Sequence, residues 1–276
     1  MFTTSSRGTS GSDVGSDSGS FAPNGGSWLD AAGMTAVGLL EHLPLRVLEL
    51  ERRGAVTRTF RRLDPERQMA VIVAILGEAA DAGPHGAGMR AVARRAGVSV
   101  GSLYQYFPDR RSMVGVAAEI AGGLLAAELG QYREALAALP LREALVAYVC
   151  VGVEWSATQA DLLRFFARAA YQGDADLGGK IVEPVAAELL AMVRAMIQGA
   201  RARGEAGASP DLDVTARFVH ALTLALGDCG LLPHLDTYYR LLDGASLEQR
   251  AAQLADFVLA ALKGDTADPA PGEGSS

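Results

Sequence analysis

The chain has 276 residues, of which 49% are hydrophobic and 21% charged, a balance that excludes collagen-like, coiled-coil and wholly disordered chains and leaves room for two domains. The net charge is -7, which on its face argues against a nucleic-acid partner. Its distribution argues otherwise: between Glu51 and Met113 eleven arginines face six acids, a local +5 that leaves -12 on the remainder, as in a basic binding module on an acidic body. A solvated arginine face on an ordinary helical protein is the plainer alternative.

Residues 1–27 hold six Gly and eight Ser and read as a disordered tail, because so few apolar side chains cannot offset the entropy of ordering. Residues 28–63 read as an extension. Leu29, Ala32, Val37, Leu40 and Leu43 suit one helical face from Trp28, Pro44 is expected to interrupt it, and a short turn follows through Leu45, Leu48 and Leu50. The segment Gly54 to Leu63 is arginine-rich and weakly patterned. Arg52, Arg53, Arg58, Arg61 and Arg62, just upstream of the first confident helix, suit either an arm that follows DNA into a minor groove or a solvated linker.

Asp64-Pro65 is an N-cap followed by proline at the first helical position. A helix is expected from there to Ala82, ended by Gly83-Pro84-His85-Gly86. A short helix, Met89 to Ala96, exposes Arg90, Arg94 and Arg95, and Gly97 suits a left-handed cap. Ser99 caps a third helix, Val100 to Phe107, and Asp109 a fourth that runs to about Leu129. Helical periodicity continues without a strand pattern: Pro140 to Ala157, Thr158 through Tyr171, Pro184 to Arg203, a helix from Asp213, and a last one opened by the Ser246/Gln249 capping box. Residues 265–276 form a second loose tail.

Two short helices around a glycine turn can lay the second one in a major groove. Val100, Gly101 and Ser102 are small enough to let it approach the bases. Leu103 and Phe107 anchor it, which leaves Tyr104, Gln105 and Tyr106 toward the exposed side, with glutamine a suitable adenine reader. Catalysis is not indicated. There is no GxSxG, HExxH or phosphate loop, and His42, His85, His220 and His234 are scattered. Cys150 and Cys229 stand apart from any metal-ligand spacing and read as small buried hydrophobes. No cofactor and no metal are expected. The longest uncharged apolar stretch, Ala144 to Val153, falls short of the ~20 residues of a spanning helix, and residues 1–27 contain no apolar block of the signal-peptide kind. The expectation is a cytoplasmic protein with no membrane partner.

Ile72 to Gly83, Val92-Ala93, Ala96-Gly97-Val98-Ser99 and above all Gly101-Ser102-Leu103-Tyr104-Gln105-Tyr106-Phe107-Pro108-Asp109-Arg110 resemble the TetR family of bacterial one-component transcriptional regulators. The resemblance implies an all-α fold: a three-helix DNA-binding domain at 64–113, its fourth helix running on to about 129, and a helical effector-binding and dimerisation domain at 114–264. It implies DNA contacts by Arg90, Ser99, Val100, Gly101, Ser102, Tyr104, Gln105, Tyr106, Arg110 and Arg111. Gly88-Met89 stands where the family often opens its second helix with a hydroxyl residue, Arg110 stands where it usually has lysine, and the domain begins unusually far into the chain.

The family further implies a homodimer on a double-stranded operator, joined by the last two long helices, which the helices after Pro184 and Asp213 match best. It also implies a small, largely apolar effector, for which Tyr148, Trp155, Phe165, Phe166, Arg168, Tyr171, Met192 and His220 are candidate lining residues. The function so implied is a repressor that releases its operator on effector binding. A helical small-molecule binder without sequence-specific DNA binding is the alternative.

Overall fold

A computed structural model describes residues 33–263 apart from 84, 159, 172–174 and 208–210; of residues 33–42, 160–164 and 171 it describes the backbone only. The two tails, the helix start at Trp28 and the side chain of Tyr171 lie outside the described residues. Among the described residues every regular element is a helix.

The first, α1 (Gly33–Arg52), runs straight through Pro44. Proline lacks the N–H for an i−4 bond and normally breaks a helix, yet Leu43 just before it and Val47 and Leu50 after it are fully buried and hold the axis. A single turn, α2 (Arg58–Arg61), follows, with Thr57 as its N-cap and Phe60 buried. Gly54 to Leu63 is therefore folded, and neither a free arm nor a solvated linker: Val56 and Phe60 supply the apolar anchors that its arginine content concealed.

Next come α3 (Pro65–Ala82), α4 (Met89–Ala96), α5 (Val100–Tyr106) and α6 (Arg110–Gly130). The expected caps are all made: Asp64 accepts from Arg67 N (2.8 Å), Ser99 from Ser102 N (3.0 Å) and Asp109 from Ser112 N (2.7 Å). Gly97 closes α4 at φ 66°, a left-handed conformation that a Cβ would strain. By length and composition alone Arg110–Ala138 would suffice to cross a membrane. Within that stretch α6 is a core helix, with Met113, Val116, Ala117, Ile120 and Ala121 buried.

The body comprises α7 (Arg133–Ala138), α8 (Leu141–Thr158), α9 (Ala160–Tyr171), α10 (Ala175–Leu177), α11 (Glu183–Ala202), α12 (Leu212–Leu231), α13 (Pro233–Tyr239) and α14 (Leu247–Lys263). Asp211 rather than Asp213 caps α12, accepting from Asp213 N and Val214 N. Ser246 and Gln249 form the expected reciprocal capping box at α14 (3.1 Å each way). The helix expected to start at Pro184 begins earlier, because α10 passes into α11 through a π-helical turn, Gly178–Val182.

Pro184 accounts for that turn. It offers no N–H to the Lys180 carbonyl, and the ladder widens so that Glu183 N bonds Gly178 O. The freed Lys180 carbonyl lies against Gly122 of α6, where a Cβ would stand 2.8 Å from Ile181 Cα and closer still to Lys180 O. Only hydrogen fits at that position.

One apolar cluster runs from Leu43 and Phe60 of the extension through α3 to α6, and on to Phe165, Ile181 and Val185 of the body. Two smaller clusters fill the far end, between α8, α11, α12 and α14. The stripe on α11 (Val185, Met192, Val193, Met196, Ile197) faces inward, so the helix after Pro184 has no exposed apolar face to offer a second copy. Exposed apolar residues recur instead on α12, at Val214, Phe218, Leu222 and Leu224, and one lies on α14, at Phe257.

Candidate nucleic-acid interface

The helix pair α4–α5 is built by small choices. Val92, Ala93, Leu103 and Phe107 are buried and tie both helices to α3 and α6. What remains outside on α5 is its opening turn, with Ser99 and Gly101 exposed and Val100 and Ser102 half-buried, followed by Tyr104, 61% exposed, and Gln105, also exposed. Ser99 Oγ is engaged with Ser102 Oγ (2.8 Å) and caps the helix. Arg90 is exposed at the start of α4.

Tyr106 is a correction. Its spacing placed it toward the exposed side, but its ring is buried. The reason lies outside the helix-turn-helix: Phe60 of α2 packs on it at 5.8 Å between ring centroids and on Phe107 at 5.1 Å. The same extension holds the end of α5 by its backbone, since Thr57 N donates to Tyr106 O (2.9 Å) and Thr57 Oγ1 to Gln105 O. Buried Gln68 secures the other end, donating to Phe60 O (3.1 Å) and Arg61 O (3.2 Å). No pattern in the residues before Pro65 signalled this, because one aromatic and one threonine carry it.

The arginines sort into engaged and free. Arg53 pairs with Glu119 of α6 and Arg61 with Glu51, and Arg95 bonds Asp81 (2.9 Å). Arg110 donates to His85 O, which turns part of its fork toward the α3–α4 connection. Arg111, 81% exposed, stands 3.7 Å from Asp176, whose carboxyl is held below the ordinary value mainly by its bond to Lys180 (2.7 Å). The Ser112 N–H likewise holds the Asp109 carboxyl low, keeping the α6 cap charged. Arg58, Arg62, Arg90 and Arg94 are exposed and make no ion pair among the described residues.

The candidate effector residues do not converge on one place. Phe165 is fully buried and Trp155 and Phe166 half-buried in the cluster shared with the helix-turn-helix. Arg168 reaches the C-terminal end of α3, with Nη2 3.5 Å from Asp81 O, where the carbonyl ends of a helix attract a cation; it serves the junction with α3. Met192 is buried on α11.

Tyr148 and His220 sit on the packed pair α8 and α12. Both Tyr148 Oη and His220 Nδ1 are buried; among the described residues His220 Nδ1 has no hydrogen-bond partner and Tyr148 Oη has only the Thr223 hydroxyl beside it. Thr223, beside the Tyr148 hydroxyl, spends its own proton on His220 O (2.9 Å). Burial pushes the Tyr148 phenol up and the His220 imidazole down.

Residues 71–117 match the family model for bacterial regulatory proteins of the tetR family. No curated protein sequence matches the chain. Among solved structures, a TetR-family transcriptional regulator from Mesorhizobium loti MAFF303099 aligns with a TM-score of 0.54 at 18% identity, covering 74% of this chain and 98% of that one. A transcriptional regulator from Pseudomonas aeruginosa PAO1 gives 0.53 at 18%, covering 74% and 94%. Salmonella enterica GusR gives 0.51 at 20%, covering 73% and 97%. Identities this low speak for the fold alone, but they extend the likeness from the helix-turn-helix to the helical body behind it. The helix-turn-helix segment is thus that of the tetR family of bacterial regulatory proteins, and the all-helical chain that carries it is similar in fold to TetR-family regulators.

Proposed function

We propose that the chain is a repressor whose homodimer holds a pseudo-palindromic duplex and releases it when a small, largely apolar molecule enters the body. The observation that carries this reading is α5: anchored from behind by Leu103 and Phe107, it turns outward only a small-residue opening, Tyr104 and Gln105. On this reading Ser99 to Ser102, Tyr104 and Gln105 meet base edges and sugars, and Arg90, with the free parts of Arg110 and Arg111, meets phosphates. Residues 64–113 with the extension packed on them are the reading head, and 114–264 form the effector and dimerisation body. The protein works in the cytoplasm, on the nucleoid when DNA-bound.

Two features of the body support the rest. Val214, Phe218 and Leu222 recur at helical spacing on α12 and are exposed, as is Phe257 on α14, the apolar stripe that a two-fold helical interface needs. Tyr148 Oη, packed against two apolar clusters with only Thr223 beside it, and His220 Nδ1, without a partner among the described residues, are buried polar atoms, the kind by which a pocket orients an otherwise apolar ligand.

The test is selection of duplexes from a random-sequence pool by the full-length protein, followed by binding of the selected duplex. A two-fold symmetric consensus is expected. Tyr104→Ala should lose specific binding while still folding, and Gln105→Ala should relax discrimination at one base pair per half-site by ~1–3 kcal/mol. A protein that prefers no duplex overturns the reading.

A further inference from the structure

We propose that α2 adds a second DNA-contacting strip beside the recognition helix, with Arg58 and Arg62 as phosphate ligands. This rests on the DNA-binding reading and widens its footprint to residues outside the helix-turn-helix.

The placement follows from the anchors of α2. Thr57, the residue immediately before it, donates through both N and Oγ1 to the carbonyls that end α5, so Arg58 begins one residue from the recognition helix. Phe60 points into the Tyr106/Phe107 ring cluster and is fully buried. At about 100° per residue, Arg58 and Arg62, two positions to either side of Phe60, both fall about 160° away from it, on the outward face. They are also one turn apart, with Arg62 N bonded to Arg58 O (3.1 Å), so the two guanidinium groups share that face. Arg61, at right angles to it, is consumed by Glu51.

The charge balance isolates these two side chains. Arg53 and Arg61 are paired inside the domain, and the nearby acid Asp64 is taken by Arg67 (3.4 Å). Arg58 and Arg62 are exposed and have no acidic partner among the described residues. Residues 99–107 of the recognition segment contain no acid at all. At the end of α5 where α2 is attached, Asp109 is turned into the α6 cap and Glu66, exposed, is in no ion pair with either arginine, so a polyanion lying along α5 meets two guanidinium groups held by no carboxylate. Because α2 is pinned at both ends, at Thr57 and through Gln68, these contacts are made by a rigid platform and cost little ordering. The contacts carry charge without base-edge geometry, so they raise affinity and leave sequence preference unchanged.

The experiment compares the wild-type protein with Arg58→Ala/Arg62→Ala and Arg58→Lys/Arg62→Lys on two probes, a duplex selected by the wild type and a random-sequence duplex of equal length, over a range of salt. Both residues are exposed, so the variants should fold, checked by thermal melting. The alanine pair is expected to weaken binding to both probes alike, by about five-fold per lost contact at 0.15 M salt, and to flatten the log–log salt slope by about 0.9 per contact, up to about 3.6 for a dimer with four. The lysine pair should restore most of the slope, since a phosphate accepts a point charge. An alanine pair with wild-type slope and affinity, or one that weakens only the selected duplex, overturns the proposal and leaves the repressor reading standing. A wild type that binds neither probe overturns both.

Discussion

Thr57 N donates to the carbonyl of Tyr106 at 2.9 Å, so the last residue of the recognition helix is held by a residue that precedes the helix-turn-helix altogether. Thr57→Val keeps the backbone bond and loses the hydroxyl's two bonds, the one given to Gln105 O and the cap bond accepted from Phe60 N. It should cost about 1 kcal/mol in chemical denaturation. Phe60→Ala removes the ring packed on Tyr106 and Phe107 and should cost about 3–5 kcal/mol. If Phe60→Ala is instead neutral, the extension contributes nothing to the reading head.

Gly122 and Gly115 face the same π-helical turn with different tolerances. At Gly122 an added methyl meets backbone, Lys180 O and Ile181 Cα, which cannot give way without moving the turn. At Gly115 it meets only the end of the Lys180 side chain. Gly122→Ala should therefore destabilise by about 1–3 kcal/mol, while Gly115→Ala should stay within about 0.5 kcal/mol of wild type. Equal melting temperatures for the two variants would show that the contact does not hold the body to α6.

Burial lowers the His220 imidazole below its ordinary value of 6.5. The unfolded chain then takes up a proton at higher pH than the folded one, so the neutral form's share of stability is complete above about pH 6.5 and is lost as the pH falls through the lower folded value. Stability measured by denaturation should drop below pH 6.5 in the wild type, and less steeply in His220→Gln. Identical pH profiles would remove His220 from the buried set.

Phe218 is 68% exposed at the centre of the α12 stripe. Phe218→Glu would place a charge in the proposed two-fold interface, where it is left unpaired, and sedimentation should show a monomer at concentrations where the wild type is a dimer. An unchanged dimer would move the interface elsewhere.

Local grammar was legible and tertiary exceptions were not. Asp64-Pro65, Gly97, Ser99, Asp109 and the Ser246/Gln249 box act within four residues of themselves, and each sits where its chemistry put it. The face of α5 was also readable, because Leu103 and Phe107 four residues apart define its inside. Tyr106 was misplaced because its burial depends on Phe60, 46 residues earlier. Pro44 and Pro184 were read as boundaries because the rule for proline is local, whereas what carries the helix past each of them is packing from elsewhere: Leu43 and Val47 on the core in one case, Gly122 receiving a displaced carbonyl in the other. The effector candidates scattered for the same reason, since aromatic residues in a helical body signal burial without saying in which cluster.

The seat of the Lys180 carbonyl on Gly122 also limits how the body can move against α6. A slide of one turn along that helix, about 5.4 Å, would carry the carbonyl onto the level of Ala118 or Ala126, whose methyl groups occupy the space that Gly122 leaves empty. Translation is blocked in both directions, while a small rotation about the seat keeps the carbonyl in the gap that Gly122 leaves. The joint is a pivot, with Gly122 as its bearing and Pro184 as the residue that exposes the pin. Structures determined with and without an effector should accordingly differ in the angle between α6 and α11 and keep the contact between Lys180 O and Gly122 Cα.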